Sequence, residues 1–198
     1  TAGFSIVKWT APTWNGGPQS VGHGLNAAPS FIITKGIDNA ASWYCYHKSL
    51  DASNPEDKYL SLNGSDAVGT LANSWGTSAP NSTTFGDRQL GWSGGQDVIA
   101  FCFAPVAGYS AFGSYLGNSS DNGPFVYTGF RPSWLLIKVT GAANDWVIHD
   151  NKRDAFNPSD SVLKPNSTGT EDTSSSNYVD FLSNGFKIRN SQSKWNAG

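Results

Sequence analysis

The sequence predicts an all-β protein made of two tandem, homologous β-sandwich modules of jelly-roll or lectin-like type. Three observations predict it. The first is an internal repeat. Pro29-Ser30-Phe31-Ile32-Ile33-Thr34-Lys35 returns as Pro132-Ser133-Trp134-Leu135-Leu136-Ile137-Lys138, and Trp43 returns as Trp146, at a common offset of 103 residues. The segment Asp51 to Asn63 returns as Asp154 to Asn166 at the same offset. A unit of that length is a small domain, well beyond solenoid periods of roughly 20–50 residues. The second is the local pattern. Short runs rich in β-branched and aromatic residues alternate with Gly, Pro, Asn and Ser clusters, and no stretch sustains a helical period. The third is spacing, since about seven short strands in about 100 residues suit a sandwich.

The repeat sets the modules at 1–106 and 107–198. In the first, strands are expected near 3–9, 19–25, 30–36, 42–48, 58–62, 83–90 and 97–104, each bounded by turn-forming residues. In the second they are expected near 108–115, 125–129, 133–139, 145–150, 161–164, 178–182 and 185–189. The continuous runs Phe31-Ile32-Ile33 and Trp134 to Ile137 read as central strands buried on both sides. Alternation over 42–48 points Trp43, Cys45 and His47 one way and Tyr44, Tyr46 and Lys48 the other. The expected cores are Phe31, Ile33, Trp43 and Cys45 in the first module, and Trp134, Leu136, Trp146 and Ile148 in the second. Each such side chain contributes about 1.5–3 kcal/mol when buried. The Ser/Thr/Asn-rich stretch 165–177 reads as a mobile surface loop.

Trp92-Ser93-Gly94-Gly95 aligns with Trp195-Asn196-Ala197-Gly198. The first module then continues through its most apolar run, Gln96 to Ala104, whose counterpart would lie past residue 198. The second module is therefore expected to lack its last strand, unless it ends differently.

Composition narrows the function. Charged residues are 14%, well below the usual quarter, and the net charge is −2. That speaks against nucleic-acid binding, which leaves a basic footprint. No run approaches the roughly 18 apolar residues of a membrane span. Eight Trp and 13% aromatics exclude a disordered chain. Low charge with many hydroxyls and aromatics fits extracellular or virion-surface β-proteins. Cys45 and Cys102 read as buried free thiols, with a Cys45–Cys102 disulfide as the alternative if their strands are neighbours.

Asp51, Asn54 and Asp57 recur as Asp154, Asn157 and Asp160 in a D-x-x-N-P-x-D motif. Closely spaced oxygens of this kind are weak calcium candidates. A capped turn is the favoured reading, because Asn-Pro enforces an extended residue and Asp caps neighbouring N–H groups. His23, His47 and His149 do not recur at equivalent positions, so no duplicated metal or catalytic site is expected. Neither a G-x-S-x-G elbow nor an H-E-x-x-H motif is present, and Glu56 and Glu171 are the only glutamates. An enzyme is not expected, nor is a cofactor. Trp14, Trp75, Trp92 and Trp195 lie in Gly/Ser/Asn-rich contexts and are the candidate sugar platforms. Trp92 and Trp195 recur, which favours a structural part for that pair; Trp14 and Trp75 do not.

Several strings resemble a tandem β-repeat family of marine phage virion and tail-fibre proteins. They are Val21 to Leu25, Ala28-Pro29, Phe31 to Lys35, Tyr46 to Leu50 and Ile99 to Ala104, then Gly123 to Pro132 and Asp180 to Lys187. The resemblance implies a structural virion protein, a tail fibre or spike module adhering to a host-surface glycan. Its alternative is a purely structural capsid-decoration, fibre-shaft or extracellular filament subunit. It implies self-association, with trimers as in fibres, contact with other virion proteins, and no defined active site.

Overall fold

A computed structural model describes residues 3–198. The protein is all-β. In chain order its strands are β1 (Phe4–Thr10), β2 (Gln19–Gly22), β3 (Phe31–Gly36), β4 (Tyr44–His47), β5 (Lys58–Ser61), β6 (Gly69–Thr70), β7 (Thr84–Asp87), β8 (Asp97–Phe103), β9 (Phe125–Tyr127), β10 (Trp134–Ile137), β11 (Val147–Asp150), β12 (Val179–Leu182) and β13 (Gly185–Ile188). One short helical turn, α1 (Ser193–Asn196), follows. The chain divides into two compact units, one running to Gly64 and resuming over Val68–Val106, the other Ser65–Ala67 with Ala107–Gly198.

The first unit has a six-stranded sheet in the order β1-β8-β3-β4-β5-β6 and a separate β2–β7 ladder. Strand β8 is central. It pairs antiparallel with β1 from Phe4↔Phe103 to Thr10↔Asp97, and with β3 from Phe31↔Phe103 to Gly36↔Val98. Its sequence suits that place: small Val98, Ala100 and Cys102 are buried, and larger Ile99, Phe101 and Phe103 are half-buried on the other face. Ile32, Tyr46, Val98, Ala100 and Cys102 of the large sheet join Val21 and Phe85 of the ladder, with Trp75 and Trp92 from loops, in one core.

The core takes the opposite face of β3 and β4 from the one expected. Ile32 and Tyr46 are 0% and 2% exposed, whereas Trp43 is 38% exposed and Ile33 half-buried; Phe31 and Cys45 are buried, but on the other face. In Phe31-Ile32-Ile33 both phases are apolar, so alternation alone cannot choose the side. The choice falls to Tyr46, whose ring packs 5.7 Å from that of Trp75.

The second unit has a β10–β11 pair and a β12-β13-β9 sheet. Leu135, Ile137 and Val147 meet Val179, Phe181, Phe186, Ile188 and Trp195 in its core. Again the phase is opposite: Leu136 and Ile148 are half-buried and Trp134 is exposed, while Trp146 is buried as expected. β10 has one neighbour, so it is not the central strand its apolar run suggests. Residues 108–115 form no regular strand, and 161–164 contribute only isolated bridges, Leu163↔Ile148 and Val162↔Asp172. The stretch 165–177 lies on the surface as expected, and its last residue, Asn177, is fully buried and donates to the carbonyls of Asp160 and Asp172.

Registers repeat at the sequence offset. Phe31↔His47 and Ile33↔Cys45 correspond to Trp134↔Asp150 and Leu136↔Ile148. Gly22↔Thr84 corresponds to Phe125↔Lys187, and Trp43 N–H to Asn63 Oδ1 corresponds to Trp146 N–H to Asn166 Oδ1.

A side-chain clasp closes each core. Asp87 ends β7, is 3% exposed, and accepts from the indole N–H of Trp9 at 2.9 Å and of Trp92 at 3.1 Å, and from the Gln89 N–H at 2.7 Å. At the equivalent place Asn190 accepts from the Trp195 indole and the Gln192 N–H. Burial raises the Asp87 pKa above 3.8, against the hydrogen bonds that lower it. A raised carboxyl pKa favours folding most below 3.8, and that contribution is lost as pH rises through the folded value. Asp87→Ala leaves three donors unsatisfied and is expected to cost about 2–4 kcal/mol in urea unfolding. Asp87→Asn keeps an acceptor, as in the second unit, and is expected to stay within about 1 kcal/mol at neutral pH while removing the carboxyl's slope of stability against pH.

Candidate functional site

The side of the six-stranded sheet that faces away from the core is unusually apolar. Register places its side chains in rows. Phe4, Phe103, Phe31 and His47 form the first row; Ile6, Phe101, Ile33 and Cys45 the second; Lys8, Ile99 and Lys35 the third. Ring centroids of Phe4 and Phe103 lie 4.9 Å apart, those of Phe31 and Phe103 5.9 Å, and Trp43 stacks on Phe101 at 6.4 Å. Phe4, Ile6 and Trp43 are 42%, 57% and 38% exposed. Lys8 pairs with Asp97 at the polar end of the face. The exposed apolar surface of this face is that of Phe4, Ile6 and Trp43, while Phe31 and Cys45 on it are buried and Ile33, Phe101 and Phe103 half-buried. Contiguous apolar surface rimmed by polar groups is where interaction sites are found.

The four candidate sugar platforms fare differently. Trp75, Trp92 and Trp195 are 1%, 5% and 2% exposed. Trp75 donates its indole N–H to the Lys58 carbonyl, and the other two close the clasps. Their glycine-rich contexts are tight turns that fold the indole inward: a side chain on Gly86 would collide with the Gly76 backbone at 2.3 Å. These three are core residues and stack on no sugar. Trp14 is 40% exposed, with the Arg88 guanidinium 5.6 Å above its ring.

The D-x-x-N-P-x-D segments are turns. Asp51 accepts from Ser53 and Asn54 N–H, and Asp57 from Asn73 N–H. Asp154 accepts from Ser159, Asp160 and Ser161, and Asn157 exchanges two hydrogen bonds with the Phe181 backbone. Asp160 supplies its carbonyl to Asn177. One oxygen of each of Asp51 and Asp154 accepts from backbone N–H groups, the hydroxyls of Ser159 and Ser161 add to Asp154, and Lys58 pairs with the other oxygen of Asp51. Among the described residues, no group of three or more His, Cys, Asp or Glu converges on a metal-sized point.

In the second unit Asp121, Asn157, Pro158, Tyr178, Asp180 and Arg189 line a groove of about 410 Å³. Arg189 donates to Asp180 Oδ2 at 2.6 Å, and Asp180 is 9% exposed. Asp180 and Arg189 are paired with each other, Asn157 is held by the Phe181 backbone, and Tyr178 lies beside them. The sequence does not reveal this groove, because its parts come from four separate stretches of chain: Asp121, Asn157-Pro158, Tyr178 to Asp180, and Arg189. The one readable signal was alternation over Tyr178 to Leu182, which sets Asp180 beside two apolar neighbours.

His47 and His149 lie on corresponding strands, β4 and β11, one position apart at the 103-residue offset, and therefore on different faces. His149 is fully buried, without a hydrogen-bond partner on either nitrogen, and its ring lies 5.7 Å from Trp195. Burial, reinforced by Arg153, pushes its pKa down to about 4; burial and Lys48 do the same for His47.

A family model described as a domain of unknown function, DUF7483, matches residues 1–198. No curated protein and no solved structure matches the chain.

Two outcomes are expected. A lowered histidine pKa favours the fold above pH 6.5, and this is lost as pH falls towards about 4. Thermal melts should drop across that window, by up to about 3 kcal/mol from His149 and less from half-buried His47, and His149→Phe should remove the larger part. Trp75→Ala should cost about 3–5 kcal/mol in denaturant unfolding, whereas Trp14→Ala should stay within about 0.5 kcal/mol.

Proposed function

This chain belongs to the DUF7483 family, and from that starting point we propose that it is a structural protein of a bacteriophage virion, two homologous β-sandwich modules in tandem, that assembles with copies of itself. The observation that carries the reading is the apolar outer face of β1, β8 and β3. A second copy is its occupant. The face is apolar across its middle with Lys8, Lys35 and Asp97 at one end, the layout of an interface core with a polar rim. A net charge of −2 sets little repulsion between copies. The duplication is supported by the registers that recur at one offset, and the virion setting by the sequence resemblance. The low charge and hydroxyl-rich loops fit an extracellular particle surface.

Adhesion to a host-surface glycan is the second reading, favoured by the groove at Tyr178, Asp180 and Arg189. With three of four candidate indoles buried, that groove supports it better than a tryptophan platform.

Light scattering and sedimentation test the leading reading. The wild-type chain should form a discrete oligomer, and Ile6→Lys with Trp43→Lys should return it to the monomer with an unchanged circular dichroism spectrum. A monomer at high concentration, or an oligomer indifferent to both substitutions, overturns it. For the second reading, the chain should bind bacterial surface polysaccharide and Arg189→Gln should weaken that binding by about tenfold; binding unaffected by the substitution refutes it.

A further inference from the structure

In the first unit β3 has a strand on each side, β4 on one and β8 on the other. In the second unit β10 pairs with β11, and among the described residues nothing pairs with its other edge. The β3–β4 and β10–β11 registers coincide at the 103-residue offset, so positions transfer one by one. The edge of β3 that meets Phe103, Cys102, Phe101 and Ala100 corresponds to the open edge of Trp134, Leu135, Leu136 and Ile137. Trp134, at the position Phe31 holds beside Phe103, is 54% exposed. Proline and charge, the usual devices that blunt an edge, are absent from β10 itself.

We propose that the free edge of β10 is an acceptor site for one extended peptide segment with the chemistry of β8. The segment lies antiparallel to β10. It presents small aliphatic residues opposite Leu135 and Ile137, towards the core, as Cys102 and Ala100 do opposite Ile32 and Thr34. It presents large apolar residues opposite Trp134 and Leu136, on the outer face, as Phe103 and Phe101 do. Main-chain hydrogen bonds supply the affinity, and the small-in, large-out alternation supplies the selection. The inference rests on the duplicated-module reading proposed above.

The test uses the full chain, a synthetic peptide of residues 96–104 with Cys102→Ala, and the same peptide scrambled. Amide hydrogen exchange is followed residue by residue. The duplicated-module reading requires that, without peptide, β10–β11 amides facing each other be protected as those of β3–β4 are; their free exchange sinks that reading and this proposal with it. With that pattern present, the peptide should slow exchange at the remaining amides of Trp134–Ile137 by about tenfold or more, with the scrambled peptide inert. No added protection there, equal protection by the scrambled peptide, or protection confined to Phe31–Gly36 overturns the acceptor site alone. So does protection of that edge in the peptide-free chain that rises with concentration, which would make a second copy the occupant.

Discussion

Both cores close on an indole N–H that must find an acceptor out of water. A buried tryptophan contributes its large ring to packing only if that one polar atom is satisfied. In the first unit Asp87 takes the indoles of both Trp9 and Trp92, and so ties β1, the end of β7 and the loop before β8 to one carboxylate. In the second unit Asn190 does this for Trp195 and returns a hydrogen bond to the Tyr178 carbonyl. The two solutions differ in charge. A carboxylate accepts three donors but resists leaving water, whereas an amide accepts fewer and carries no desolvation cost of an ion. The number of indoles to be satisfied, two against one, matches the acceptor each unit uses.

Satisfying the indoles inward decides which face of each sheet is left outside. With Trp9, Trp75 and Trp92 all turned into the first core, its inner face is filled, and the second apolar phase of β1, β3 and β8 lies on the opposite face, where Phe4 and Ile6 are exposed and Phe31 is buried. The large sheet is therefore two-sided in hydrophobicity although it covers only one core. The second unit distributes its surface differently: its polar groove is bounded by Asp180, held at β12 by Arg189, and by Asn157, held by the Phe181 backbone.

What the sequence made legible was periodic. The offset of 103 residues reappears as matched ladder registers, and most strands lie within a residue or two of the runs that announced them. The all-β class followed from run length and punctuation. The core phase did not, because Phe31-Ile32-Ile33 and Trp134 to Ile137 are apolar in both phases, and only a long-range partner such as Trp75 breaks the tie. Recurrence at one offset pointed to a structural part for Trp92 and Trp195, and both are buried; Trp75, which does not recur, reads outward from its glycine-rich neighbourhood, yet Gly76 and Gly86 there allow a close backbone approach with its indole in the core. The groove around Tyr178 was illegible because its walls are far apart in the chain and each is unremarkable alone. The segment 165–177 looked loose by composition and lies on the surface, with one buried amide, Asn177, at its end.

The placement of the two thiols gives the first unit a means of reporting on itself. Cys45 and Cys102 lie on opposite faces of the large sheet with β3 between them, so they are free and cannot bridge without dismantling it. Burial pushes Cys102 up to about 12 and Cys45 higher still, so neither exists as a reactive thiolate while its face is closed. Alkylation of Cys102 thus times the opening of the core, and alkylation of Cys45 times the loss of the side chains packed over it on the outer face. The ratio of the two rates distinguishes a sheet that peels from one side from a unit that unfolds as a whole.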